Sequence, residues 1–214
     1  MADTVTMRFP FTGRWMAQNS PASRVPSHGT HRFGTTYAID FVAVDRHGRS
    51  AARSWRAAVS TEPPELFRGF GAPILAPVGG TVASVLDGEP DHEARRSQLR
   101  LIPYVLSQAR RVRGGAAAIA GNHVVIALAD GGPFVLLAHL KNGSVDAAVG
   151  QRVESGQRIG ACGNSGNSTE PHVHVQVTDS LDWPVAHGLP ILFSGAGGSD
   201  EEWMPRNSQV FEVS

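Results

Sequence analysis

Glycine and proline break this chain into short apolar runs, with 24 glycines and 14 prolines among 214 residues. Such punctuation predicts many short strands joined by turns. The candidate strands are Tyr37 to Val44, Ile74 to Ala76, Gly80 to Leu86, His123 to Ala129, Phe134 to Leu140, Gln151 to Val153 and His172 to Thr178. Two segments echo each other: Val78-Gly-Gly-Thr-Val-Ala-Ser-Val85 and Val149-Gly-Gln-Arg-Val-Glu-Ser-Gly-Gln-Arg-Ile-Gly160 both set glycine at a tight turn beside alternating Val and Ile. Turns of that kind need positive φ or close strand approach. The pattern predicts a mainly β chain, folded as a compact, strongly curved antiparallel structure. Two stretches depart from it. Residues 46–69 read as an irregular loop rich in Arg, Ser and Pro, and residues 93–118 read as a helical or loose insertion, with Leu99, Leu101, Ile102, Val105 and Leu106 at roughly helical spacing. Nothing resembles a dividing linker, so residues 1–214 read as a single domain.

Composition removes several function classes. A 41% hydrophobic and 18% charged chain is globular. Basic and acidic side chains balance at 19 each, which argues against a nucleic-acid partner, because phosphate binding calls for a basic excess. No run of about 18 apolar residues is present to span a membrane. Met1 to Pro10 lacks an apolar run of signal-peptide length, so the chain reads as cytoplasmic by sequence, with export by another route left open. The one cysteine, Cys162, excludes an intramolecular disulfide and lies in a Gly-rich turn, where it reads as structural filler.

Chemistry concentrates in histidines and one aspartate. In Pro171-His172-Val173-His174-Val175-Gln176-Val177, strand alternation puts His172, His174 and Gln176 on one face and the valines on the other. Same-face neighbours lie roughly 6.6 Å apart, so one imidazole can bind a metal while the other reaches water or substrate. In Tyr37-Ala-Ile-Asp-Phe-Val-Ala-Val44, Asp40 shares a face with Ala38, Val42 and Val44. A carboxylate there is costly unless paired or bound to a metal. Upstream, Ser27-His28-Gly-Thr-His31 offers two more imidazoles, and His139 interrupts the apolar run Leu136 to Leu140.

Four motifs, in order and spacing, resemble the M23 (LytM/lysostaphin-type) peptidase family over residues 71–178: Gly71-Ala-Pro-Ile-Leu-Ala-Pro-Val-Gly-Gly-Thr-Val82, Ala138-His139-Leu140, Val149 to Gly160, and Gly163-Asn-Ser-Gly-Asn-Ser-Thr-Glu-Pro-His-Val-His174. The resemblance implies a small β fold with zinc in a groove, and endopeptidase action on peptide bonds of peptidoglycan or glycine-rich peptides. It further implies that His174 and Asp40 are zinc ligands and that His139 and His172 are catalytic, orienting or deprotonating water and stabilising an oxyanion. The family's His-x-x-x-Asp motif is not kept, because Thr36 stands four residues before Asp40. The third ligand then falls to His28 or His31, and His28 is favoured because Gly29 lets the loop fold back toward Asp40. The motif-bearing core spans about residues 28–178.

Two other readings follow from the same residues. A non-catalytic module of this fold, binding a cell-wall or protein partner, fits the altered ligand motif. A biotinyl- or lipoyl-type carrier shares turns like Val149 to Gly160, but it needs a lysine in an exposed hairpin after them, and the only lysine, Lys141, precedes them.

Overall fold

A computed structural model of the chain describes residues 4–52, 60–94, 115–129, 131–196 and 201–214. Its strands are β1 (Val5–Arg8), β2 (Gly13–Gln18), β3 (Ile39–Ala43), β4 (Pro73–Leu75), β5 (Gly80–Leu86), β6 (Asn122–Ala127), β7 (Phe134–Leu140), β8 (Arg152–Val153), β9 (Arg158–Ala161), β10 (Val173–Thr178), β11 (Ile191–Ser194) and β12 (Val210–Val213). Eight of them form one antiparallel sheet in the order β12-β2-β3-β10-β7-β6-β5-β8. Two small ribbons accompany it, β4 with β9 antiparallel and β1 with β11 parallel. The predicted mainly antiparallel β class is what the chain adopts.

Alternation along the central strands divides the sheet into two faces. Ile39, Phe41, Val124, Ile126, Val135, Leu137, Val173, Val175 and Val177 point into the main core. Asp40, Leu136, Ala138, His174 and Gln176 point the other way and line a groove. A sequence-separated aromatic cluster pins the outer strands to the centre. Phe11 stacks on Trp15 with ring centroids 4.1 Å apart, and Phe9 stacks on Phe193 at 4.8 Å. Phe41 meets Phe9, Phe11 and Phe193 edge-on. Such offset and T-shaped pairs add to the burial term about 0.5–1.5 kcal/mol each.

Strands β5 and β7 match the expected bounds, and β3, β4, β6, β8 and β10 fall within a residue or two of theirs. Strands β1, β2, β9, β11 and β12 were not among the sequence expectations. The 93–118 insertion is described only at its ends. Residues 95–114 lie outside the described residues, and Gly115–Ala120 forms a short helix, α1. The 46–69 segment is irregular where described, as expected, although Ala51 bridges Phe67 and Glu62 bridges Ala94. No helix among the described residues is long and apolar enough to cross a membrane. Cys162 is buried, and burial pushes its thiol far up, which leaves it inert, in line with structural filler.

Candidate metal centre

Three neighbouring strands lay a row of side chains across the groove. Asp40 of β3 is the direct partner of His174 of β10, which is in turn the partner of Ala138 of β7. Cross-strand partners on one face stand within side-chain reach, and here His174 Nδ1 lies 2.8 Å from Asp40 Oδ1. The loop between β2 and β3 brings His28 over from the opposite side, with its Nε2 3.1 Å from Asp40 Oδ2. One donor atom from each of His28, Asp40 and His174 lies within 4.8 Å of the others. His172 Nε2 stands further off, 3.7 Å from Asp40 Oδ1. His31 is exposed and directs its Nδ1 to Thr36 Oγ1, 3.1 Å away. Of the two upstream imidazoles, only His28 reaches the carboxylate.

His139 enters by a backbone irregularity. Asn122 pairs with Leu140 and Val124 with Leu137, so Ala138 and His139 together oppose the single residue His123. This is a β-bulge, and His139 takes φ 61° within it. The extra residue lets Ala138 and His139 both face the groove while Leu137 and Leu140 both stay in the core. A non-glycine residue in the left-handed region costs about 1–3 kcal/mol, and such strain gathers at functional sites. Its ring centroid lies 4.6 Å from that of His172 and 5.9 Å from that of His174.

The outward nitrogen of every imidazole is occupied by an acceptor. His139 Nδ1–H donates to the Ser165 carbonyl at 3.0 Å, and His172 Nδ1–H donates to the Glu170 carbonyl at 2.8 Å. A carbonyl can only accept, so both nitrogens carry the proton. His174 Nε2–H donates to Gln176 Oε1 at 3.0 Å, and Gln176 is oriented by its own Nε2, which donates to the Phe33 carbonyl at 2.9 Å. Ser27 donates its hydroxyl proton to the Thr35 carbonyl at 3.1 Å, so Ser27 Oγ accepts from His28 Nδ1–H at 3.0 Å. In the neutral rings, the lone pairs are therefore left on His28 Nε2, His139 Nε2, His172 Nε2 and His174 Nδ1. Outward partners of this kind are what orients metal-binding imidazoles.

Two such lone pairs aimed at one carboxylate repel it unless a cation lies between. The protonation equilibria point the same way. Burial works against ionising Asp40, yet the His28 and His172 imidazoles and the contacts with His174 and His28 hold its carboxyl well below the usual range. Burial likewise works against charging His174, yet its contacts with Asp40 draw its pKa upward. Burial, reinforced by His172 and His174, pushes the pKa of His139 well below the ordinary histidine value, against the opposing pull of Asp40 and the Ser165 carbonyl. The donor set, two imidazoles and a carboxylate, fits zinc. Asn19 completes the support of the carboxylate, its Nδ2 donating to Asp40 Oδ2 at 2.7 Å. Neither Asn19 nor the supporting role of Gln176 was among the sequence expectations. Only the strand-face position of Gln176 gave a signal for it.

Comparison with known proteins agrees with the motifs. Residues 106–186 match the model of peptidase family M23, and of these 106–114 and 130 lie outside the described residues. A search of curated proteins gives no match. Among solved structures, the chain is similar to the catalytic domain of EnpA, a prophage-encoded M23 protein from Enterococcus faecalis. That likeness is at 21% identity over 72% of this chain and 73% of that one, with a TM-score of 0.40. It is also similar to the catalytic domain of the antimicrobial peptidase lysostaphin from Staphylococcus simulans, at 16% identity over 87% and 88% of the two chains, with a TM-score of 0.40. The matched segment, which carries His139, His172 and His174, is similar to peptidase family M23.

Proposed function

We propose that this chain is a zinc-dependent endopeptidase that hydrolyses peptide bonds of peptidoglycan or of glycine-rich peptides. The observation that carries the reading is the convergence of one imidazole nitrogen each from His28 and His174 on the buried carboxylate of Asp40, with the three donor atoms within 4.8 Å of one another. His28 Nε2, the Asp40 carboxylate and His174 Nδ1 would hold the zinc, with Asn19, Ser27 and Gln176 fixing their orientation. When bound, zinc supplies Lewis acidity toward water and the scissile carbonyl. His139 and His172 stand outside the ligand triad but share its groove. Each, when neutral, offers Nε2 as a base for the attacking water, and once protonated it can donate to the developing oxyanion or the departing amine.

The test is elemental analysis combined with hydrolysis of glycine-rich and peptidoglycan-derived peptides. Zinc near one per chain, with cleavage abolished by a chelator and restored by zinc, is the expected result. Protein that contains no zinc and takes up none on titration overturns the reading. Zinc-loaded protein inert toward every such peptide favours the non-catalytic module, which the altered ligand motif at Thr36 keeps in play.

A further inference from the structure

The groove that holds the imidazoles continues past Ala138 to a wall that proton transfer does not use. In this cavity of about 260 Å³, Ile119, Ala120, Leu136 and Trp183 supply apolar lining, while Asn19, Thr35, Asn167 and Thr169 supply polar lining. Leu136 and Ala138 rise from β7 opposite Gln176 and His174, so Leu136 is one same-face step from the row that ends on Asp40. The half-buried Trp183 packs on the apolar cluster of Val125, Phe134 and Leu136. His123 meets its ring edge-on, at 5.2 Å between centroids and 62° between planes. His123 is itself fixed, its Nδ1–H donating to the Gly121 carbonyl at 2.7 Å. Trp183 is thus a braced wall, and Leu181 and Val185 on the same loop extend exposed apolar surface beside it.

We propose that Trp183, Ile119 and Leu136 form a subsite for a bulky apolar side chain of the peptide substrate, selected over glycine at that position. This rests on the peptidase reading of the same groove, and the occupant follows from the continuity of the recess with the metal centre. One same-face step is roughly 6.6 Å and an extended chain advances about 3.3 Å per residue, so the selected side chain lies about two residues from the scissile bond. A leucine there removes the recess from water, and each buried methylene favours the complex by about fourfold. A glycine leaves the tryptophan face wet and gains none of this.

The probe is a capped hexaglycine and the set in which one glycine at a time is replaced by leucine. Values of kcat/KM are measured for the wild type, and calorimetric binding of the same peptides is measured with the zinc-loaded His139→Ala variant. The expected result is one position at which leucine raises kcat/KM about tenfold or more, with tighter binding at the same position. Trp183→Ala should move that leucine-to-glycine ratio toward one with zinc content unchanged, and Trp183→Phe should retain part of it. Ile119→Ala lowers the same ratio and serves where the tryptophan variant does not fold. A ratio near one at every position in both measurements, or a large ratio that both the Trp183 and Ile119 variants leave intact, overturns the subsite. Absence of cleavage with a leucine preference in binding that Trp183→Ala removes sustains the subsite and overturns only the peptidase reading.

Discussion

Gln176 fixes the tautomer of His174. Its amide oxygen accepts from His174 Nε2 at 3.0 Å, while its amide nitrogen is held by the Phe33 carbonyl at 2.9 Å, so the imidazole turns Nδ1 toward Asp40. Partners of this type, which touch no metal themselves, typically contribute 10- to 100-fold in metal affinity. Gln176→Ala is therefore expected to weaken zinc binding by about that factor while leaving the stoichiometry at saturation unchanged. Competition with a chromophoric chelator measures it. An affinity equal to that of the wild type would remove Gln176 from the site.

His28 and His31 make opposite predictions although only Gly29 and Thr30 separate them. His28 reaches Asp40, whereas His31 is exposed and paired with Thr36. His28→Ala is expected to lose bound zinc and His31→Ala to keep it, by elemental analysis after dialysis against trace chelator. Zinc retained at full affinity in both variants would show that the ligand set is wrong.

The sequence made these elements legible to different depths. Strand β7 could be read to the residue because Gly131-Gly132-Pro133 closes the preceding turn. The His-Val-His alternation gave the two faces of β10 directly, since period 2 is a local property. The bulge at His139 could not be read, because it arises from how β6 pairs with β7 and leaves no mark in the apolar run itself. Asn19 was hidden for a similar reason: it reaches the site only because β2 pairs with β3, setting Gln18 opposite Asp40. The outer strands β1, β11 and β12 span four residues each, too few to show a period. What fixes them is packing of Phe9, Phe193 and Phe211, which are distant in sequence. The choice between the upstream histidines turned on whether the 27–36 loop folds back, and the Ser27 hydroxyl bond to Thr35 closes it.

Stability should depend on pH through His123. Burial pushes the pKa of this residue below its ordinary value of 6.5, against a smaller opposing effect of the Gly121 hydrogen bond. The unfolded chain therefore binds a proton that the folded chain resists, and stability rises with pH in that window. The contribution is fully present above about 6.5 and is lost as pH falls from there toward the lower folded-state value. His139 acts in the same direction and His174 in the opposite one, since its folded pKa is raised. Denaturant midpoints of the metal-free chain between pH 7 and 5 should show a smaller acid loss for His123→Gln than for the wild type. Parallel curves for the two proteins would remove His123 from the account.

The last prediction separates catalysis from metal binding. His139 and His172 are not in the triad whose donor atoms lie within 4.8 Å of one another, and their outward nitrogens are tied to the Ser165 and Glu170 carbonyls. Replacing either by alanine removes an Nε2 from the groove but leaves His28, Asp40 and His174 in place. His139→Ala and His172→Ala should each keep zinc at the wild-type stoichiometry while lowering peptide hydrolysis by about 10²- to 10⁴-fold, the range for loss of a positioned general base or oxyanion donor. His174→Ala should instead lose zinc and activity together, because nucleophile activation and carbonyl polarisation both depend on the metal. His139→Ala carries a second, separable effect. Alanine must adopt the same positive φ at the bulge unless the strand repairs itself, so His139→Gly is the cleaner substitution, since glycine accepts that conformation. Hydrolysis lost equally in the glycine and alanine variants assigns the effect to the imidazole. Activity restored by glycine alone would assign it to the backbone, and a fully active His139→Ala would make His139 a buried histidine with no part in the reaction.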